Sequence, residues 1–213
     1  MLTQRLRMFS AQTPKENDAY VKSLIDAILS EPDSCHEVWF STAYGYPTLE
    51  SHAQYAAEYA RLAVAFRKAG IRVSMQVSNT IGHGAYMKSQ DCLGLVNDSL
   101  TLDNLTAPDG TSSPYSFCWW DKTFIDYNCR MVKPYVSLLK PARVWVDDDL
   151  RATGHKPVRF GCFCDHCIDR FNQKYGHSYS REALVHEINR GDVRVRAEWA
   201  EWIRQGLYQF TYA

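Results

Sequence analysis

The chain has 213 residues, 24 Lys+Arg against 24 Asp+Glu, and 46% hydrophobic residues. This length suits one domain, able to bury roughly 70% of its unfolded surface. The composition is that of an ordinary globular protein, not a disordered one. A net charge of zero gives no long-range pull toward nucleic acid or an anionic membrane. No apolar run approaches the ~18 residues of a membrane span. Met1 to Ser10 lacks the apolar core of a secretory signal. The expectation is a soluble, cytoplasmic protein with neither nucleic acid nor membrane as partner.

Strand and helix signals then alternate. Arg5 to Ser10 is a short candidate strand. Thr13-Pro14-Lys15-Glu16 forms a capping box, with Thr13 as N-cap and Pro14 at the first helical position. Val21, Leu24, Ile25 and Ile28 form the helical stripe behind it, and Pro32 ends it. Glu37 to Thr42 is a second strand whose apolar run Val38-Trp39-Phe40 suits burial on both faces. Thr48 caps a second helix carrying Tyr55, Tyr59, Leu62 and Phe66, and Gly70 stands at its C′ position. Ile71 to Ser78 is a third strand.

A long polar connection follows, Asn79 to Asp121, of a length usually tied to function. Asp121 caps a third helix reaching about Leu139, with Pro134 expected to kink or interrupt it. Ala142 to Asp147 is a fourth strand. Beyond Cys167 the spacing predicts three helices and no strand: Asp165 to Tyr175 stopped by Gly176, Ser180 to Asn189, and Arg194 to Phe210. This order argues for an α/β fold with parallel strands, either doubly wound or part of a (βα)8 barrel. No G-x-G-x-x-G turn follows a strand, which disfavours a dinucleotide fold.

Seven cysteines stand at 35, 92, 118, 129, 162, 164 and 167. The odd number disfavours a disulfide framework. Cys162-Phe163-Cys164-Asp165-His166-Cys167 places three thiols within six residues. Such a turn points three sulfurs at one centre, and zinc takes four such ligands tetrahedrally at ~2.3 Å. Cys118 is the first candidate for the fourth, with His166, Cys129 and Cys92 as others. A four-thiolate site is closed to water, so its role is structural.

Val144-Trp145-Val146-Asp147-Asp148-Asp149-Leu150-Arg151 ends the fourth strand in three acids. Adjacent carboxylates at a buried strand end repel one another, and ligands of parallel α/β folds bind at that end. Acid–base chemistry, a Mg²⁺ site and a solvated helix cap are the readings open here.

The strand ending in Trp-Val-Asp, the C-x-C-x-x-C turn and the helix ending in Tyr-Gly together resemble glycoside hydrolase family 42 β-galactosidases. The likeness covers about Ser116 to Gly176. It implies a (βα)8 catalytic barrel, an O-glycoside as substrate, and a structural zinc completed by a lone upstream cysteine, the place Cys118 holds. It implies Asp149 as acid/base and Asp148 beside it as the group holding the sugar 2-hydroxyl. A retaining mechanism would need a second carboxylate about 5–5.5 Å away. Neighbouring carboxylates would supply the raised pKa that a general acid needs.

Three departures stand out. The family's Asn-Glu pair is Asp148-Asp149, the insert before Cys162 is longer, and no seventh-strand nucleophile region follows. Asp147, Arg151, Trp119, Trp120, His83 and Tyr44 are the candidate sugar contacts, all at strand ends or in the long loop. A (βα)8 barrel takes about 250 residues and eight strands. The expectation is therefore a partial (βα)8 barrel, about the first four βα units with extra C-terminal helices, poorly soluble and inactive alone. A homo-oligomer is compatible with the full-length protein. The competing expectations are a Mg²⁺-dependent hydrolase using Asp147, Asp148 and Asp149, and a zinc-stapled binding module without activity.

Overall fold

The computed structural model describes residues 3–6, 14–31, 33–78, 80–84, 96, 100–147 and 149–212. In chain order the elements are β1 (Thr3–Leu6), α1 (Pro14–Ser30), β2 (Glu37–Ser41), α2 (Leu49–Lys68), β3 (Arg72–Val77), β4 (Asn104–Thr106), β5 (Ser112–Phe117), α3 (Lys122–Leu139), β6 (Val144–Val146), β7 (Thr153–His155), β8 (Val158–Phe160), α4 (Asp165–Tyr175), α5 (Arg181–Arg190) and α6 (Val193–Tyr212). They fall into two compact units. One comprises Met1–Thr80 and Arg130–Asp147, the other Ile81–Cys129 and Asp148–Ala213. The proposed cap Thr13 and the stop Pro32 lie outside the described residues.

The first unit is built on a parallel sheet of order β1-β2-β3-β6. Helices α1, α2 and α3 stand in the three crossovers. The order never reverses, unlike that of a doubly wound sheet. Side chains alternate along each strand, so register sorts the two faces. Val38 and Phe40 pair with Val73 and Met75 and are buried with Val77. Phe40 packs on Tyr59 and Phe66 of α2, with ring centroids 4.9 and 6.2 Å away. Glu37, Trp39 and Ser41 alternate onto the other face, in register with Arg72, Ser74 and Gln76.

Burying a carboxylate is costly unless it is paired. Fully buried Glu37 accepts from Ser74 Oγ and from Arg143 Nη1 at 3.3 Å. Arg72 Nε stands 3.7 Å away.

Local signals are obeyed in α2. Thr48 Oγ1 accepts from the Ser51 amide at 3.2 Å, and Gly70 follows the Ala69 C-cap at φ +78°. Inside the unit, fully buried His52 has Nδ1 3.0 Å from the Tyr135 hydroxyl. Burial pushes its pKa down to about 4.

Pro134 does not interrupt helix α3: the ring removes one helical N–H, but the residues on both sides stay helical. The fourth strand, β6, is exposed. Val144, Trp145 and Val146 are 46%, 42% and 52% exposed, because β6 is the edge of the sheet and pairs with β3 alone.

The second unit has two small antiparallel hairpins, β4–β5 and β7–β8. Sequence reading leaves both as loop. Its core is aromatic. Trp120 stacks on Trp202 with centroids 4.1 Å apart, and Phe163 and Phe171 pack on Trp199 at 4.7 and 5.0 Å. Gly206 lets α6 approach this layer. A Cβ there would lie 2.5 Å from Trp119 Nε1 and 2.6 Å from Trp120 Nε1. Helix α4 ends at Gly176 with φ +72°, and Ser180 Oγ caps α5 by accepting from the Ala183 amide at 3.2 Å. Among the described residues no helix is long and apolar enough to cross a membrane.

Candidate metal centre and carboxylate loop

Cys118 follows β5, and its amide donates to the Asp103 carbonyl at 2.8 Å. The segment after β8 carries Cys162 and Cys164, and Cys164 is the N-cap of α4. Cys167 sits in the first turn of α4, on its buried side. All four thiols are buried, and their sulfurs lie within 4.8 Å of one another. The Cys118 and Cys167 sulfurs are 3.3 Å apart.

The set suits a metal. A tetrahedron with ~2.3 Å metal–sulfur bonds has edges of about 3.8 Å, inside the observed span. The Trp120 amide donates to Cys118 Sγ at 3.4 Å, the kind of outer bond that orients a ligand. Electrostatics agree. Cys164 is pushed far down, because the thiols of Cys118, Cys162 and Cys167 donate to it. Cys118 is pushed up, first by Cys162, and Cys167 is pushed up, first by burial. One thiolate is readily held this way; binding a metal would displace the remaining protons.

The other candidate ligands stand elsewhere. His166 Nδ1 lies 3.2 Å from Asp103 Oδ2, Cys129 is exposed and belongs to no metal-capable group, and Cys92 lies outside the described residues. Asp103 is held above the usual carboxylate range, first by partial burial and then by the charge of Cys164.

The acids after β6 divide. Asp147 belongs to the first unit, half-buried, and accepts from Gln76 Nε2 at 2.6 Å. Asp148 lies outside the described residues. Asp149 belongs to the second unit and is completely buried. Its Oδ2 accepts from the Gly82 amide at 2.8 Å and stands 3.9 Å from His83 Nε2. Asp149 therefore holds the 81–84 loop, a role that sequence reading does not foresee. Fully buried His155 reinforces it, with Nδ1 2.5 Å from the Gly82 carbonyl and Nε2 2.7 Å from the Arg151 carbonyl. Gly84, at φ +60°, lies so close to the His155–Lys156 backbone that a Cβ would overlap it. No local signal marks His155, since its partners are backbone atoms of other segments and turns.

The remaining candidates are scattered. His83 is mostly covered, and Tyr44 is half-buried in the loop after β2. Arg151 is exposed, and its Nε donates to the Thr153 carbonyl at 3.0 Å. Trp119 and Trp120 are 1% and 8% exposed and are covered by Trp202 and Gly206 instead of facing outward as sugar platforms. Among the described residues the four cysteines are the metal-capable group of three or more; Asp147 and Asp149 belong to none.

No family model matches the chain, and no curated protein matches it. Among solved structures, the chain is similar to the GH20 exo-β-N-acetylglucosaminidase of Vibrio harveyi, crystallised in complex with N-acetylglucosamine. The TM-score is 0.49 at 11% identity, covering 92% of this chain and 34% of that one. This chain thus spans about a third of that structure's length, and the likeness is too weak to assign a shared fold.

Proposed function

We propose that the chain is the first four βα units of a (βα)8 glycoside hydrolase of the β-galactosidase type, with a structural zinc on Cys118, Cys162, Cys164 and Cys167. The observation that carries this reading is the meeting of four buried sulfurs, drawn from the spacing that resembles family 42. The unreversed order β1-β2-β3-β6 supports it, being the order in which a singly wound barrel begins. Zinc, once bound, would fix the segment after β5 to the start of α4 and take no part in turnover. Four reduced thiols suit a reducing compartment such as the cytoplasm.

In this reading Asp149 is the general acid/base of the enzyme and Asp148 beside it holds the sugar 2-hydroxyl. Hydrolysis of an aryl β-galactoside by a polypeptide carrying this segment tests it. Asp149→Asn or Asp148→Asn should lower turnover by about a hundredfold or more. Undiminished turnover in both variants would remove the assignment.

One observation favours a second reading, a zinc-stapled module without catalysis. Asp149 is wholly buried and bound to a backbone amide, which is how a structural carboxylate behaves. Zinc without turnover in any polypeptide carrying the segment would select this reading.

A further inference from the structure

We infer that Arg170 and Arg181 are the cationic supports of the thiolate centre. Each holds one of its two cysteine turns by a backbone carbonyl, and together they balance the charge that bound zinc would leave. The inference rests on the metal-centre reading and concerns what sets the affinity of that site. Neither arginine is a ligand.

The four cysteines come from two turns, one at Cys118 and one from Cys162 to Cys167. Arg170 stands three residues beyond Cys167 on α4, a spacing that makes helix neighbours. Its Nη1 donates to the Trp120 carbonyl at 2.9 Å. The amide of the same Trp120 donates to Cys118 Sγ at 3.4 Å, so one residue joins the guanidinium to the sulfur. Arg181 opens α5. Its Nε donates at 2.8 Å to the carbonyl of Phe163, which stands between Cys162 and Cys164. Its Nη2 pairs with Asp165, beside Cys164. The β4–β5 turn closes over it, since a Cβ on Gly110 would stand 3.4 Å from Nη1. Each cysteine turn is thus held by one guanidinium, and the two come from different helices.

Four thiolates around one zinc ion leave two negative charges uncompensated. The sulfurs are buried in an apolar cluster with Trp119, Phe163 and Trp199, where unpaired charge is costly. A guanidinium is always protonated in a protein, so Arg170 and Arg181 supply two positive charges at fixed positions. The acids nearby offset them weakly. Asp165 and Asp169 are exposed, and water screens them. Asp103 Oδ2 has His166 Nδ1 beside it at 3.2 Å. Sequence reading passes over both arginines, because the carbonyls they hold belong to other segments.

Zinc affinity of the intact chain, measured by competition with a chelator, tests the pair. Arg170→Gln and Arg181→Gln should each weaken zinc about tenfold, the lower end of what an outer partner of a metal site contributes. Arg170→Lys and Arg181→Lys keep the charge and should recover most of the loss. Cobalt(II) adds a spectroscopic readout. Thiolate-to-cobalt absorption at saturation should be unchanged in the Gln variants, with all four ligands in place, while more metal is needed to reach it. Far-UV circular dichroism checks that each variant is folded.

Unchanged zinc affinity in both Gln variants would overturn the inference and leave the metal centre standing. Lys variants as weak as the Gln variants would overturn it by removing the role of charge. Thiolate absorption lost at saturation would overturn it too, because a ligand would then have been displaced. No zinc bound by the unmodified chain would overturn the metal centre itself, so the two failures are separable.

Discussion

His52 gives the first unit a stability that falls with acid. The ring is fully buried against Tyr135, and its pKa drops from 6.5 to about 4 in the folded chain. Above pH 6.5 the imidazole is neutral both folded and unfolded, and the contribution is complete. Below 6.5 the unfolded chain takes up a proton that the folded chain refuses, so stability falls until pH reaches about 4. A tenfold difference in proton affinity between the two states is worth about 1.4 kcal/mol. The loss is then about 2 kcal/mol at pH 5 and about 3 kcal/mol at pH 4, by the same linkage. Carboxylates with lowered pKa values, such as Glu58 and Glu201, erode stability in acid too, so the test is a difference. Urea denaturation of the unmodified chain and of His52→Gln, followed across about pH 7.5 to 4.5, isolates the histidine's contribution. Gln keeps a polar partner for the Tyr135 hydroxyl but does not titrate. The two stability curves should converge as pH falls. Parallel curves across this window would refute the reasoning.

Two further outcomes follow from packing and hydrogen bonding. Gly206→Ala should destabilise the second unit by about 2 kcal/mol, because the new methyl overlaps the Trp119 and Trp120 rings; thermal denaturation read by near-UV circular dichroism measures it, and an unchanged melting curve would contradict it. Asp149→Ala should cost about 2 kcal/mol by leaving the Gly82 amide unpaired, with faster amide hydrogen exchange in residues 81–84. Asp149→Asn keeps an acceptor oxygen and should retain most of the protection, whatever it does to activity.

The sequence was most readable where causes are local. Thr48, Gly70, Gly176 and Ser180 mark helix ends by their own side chain or backbone freedom, and each stands at a helix end. The cysteine turn was legible because three ligands lie within six residues. The hairpins β4–β5 and β7–β8 were not, since strands of three to six residues give alternation too little length to register. Trp119 and Trp120 read as loop aromatics because the helix that covers them, α6, is some eighty residues further on. Asp149 reads as one of three equivalent acids at a strand end. Its neighbour Asp147 binds a side chain and Asp149 binds a backbone amide, a difference that chain direction decides and composition does not.

The four sulfurs carry the central claim, and metal analysis reaches them directly. Inductively coupled plasma mass spectrometry of the purified chain, after exhaustive gel filtration, should find about one zinc per chain, and Cys118→Ser should lose most of it. Less than half an equivalent in the unmodified chain, or full zinc retained by Cys118→Ser, would contradict the metal centre and the family resemblance built on it.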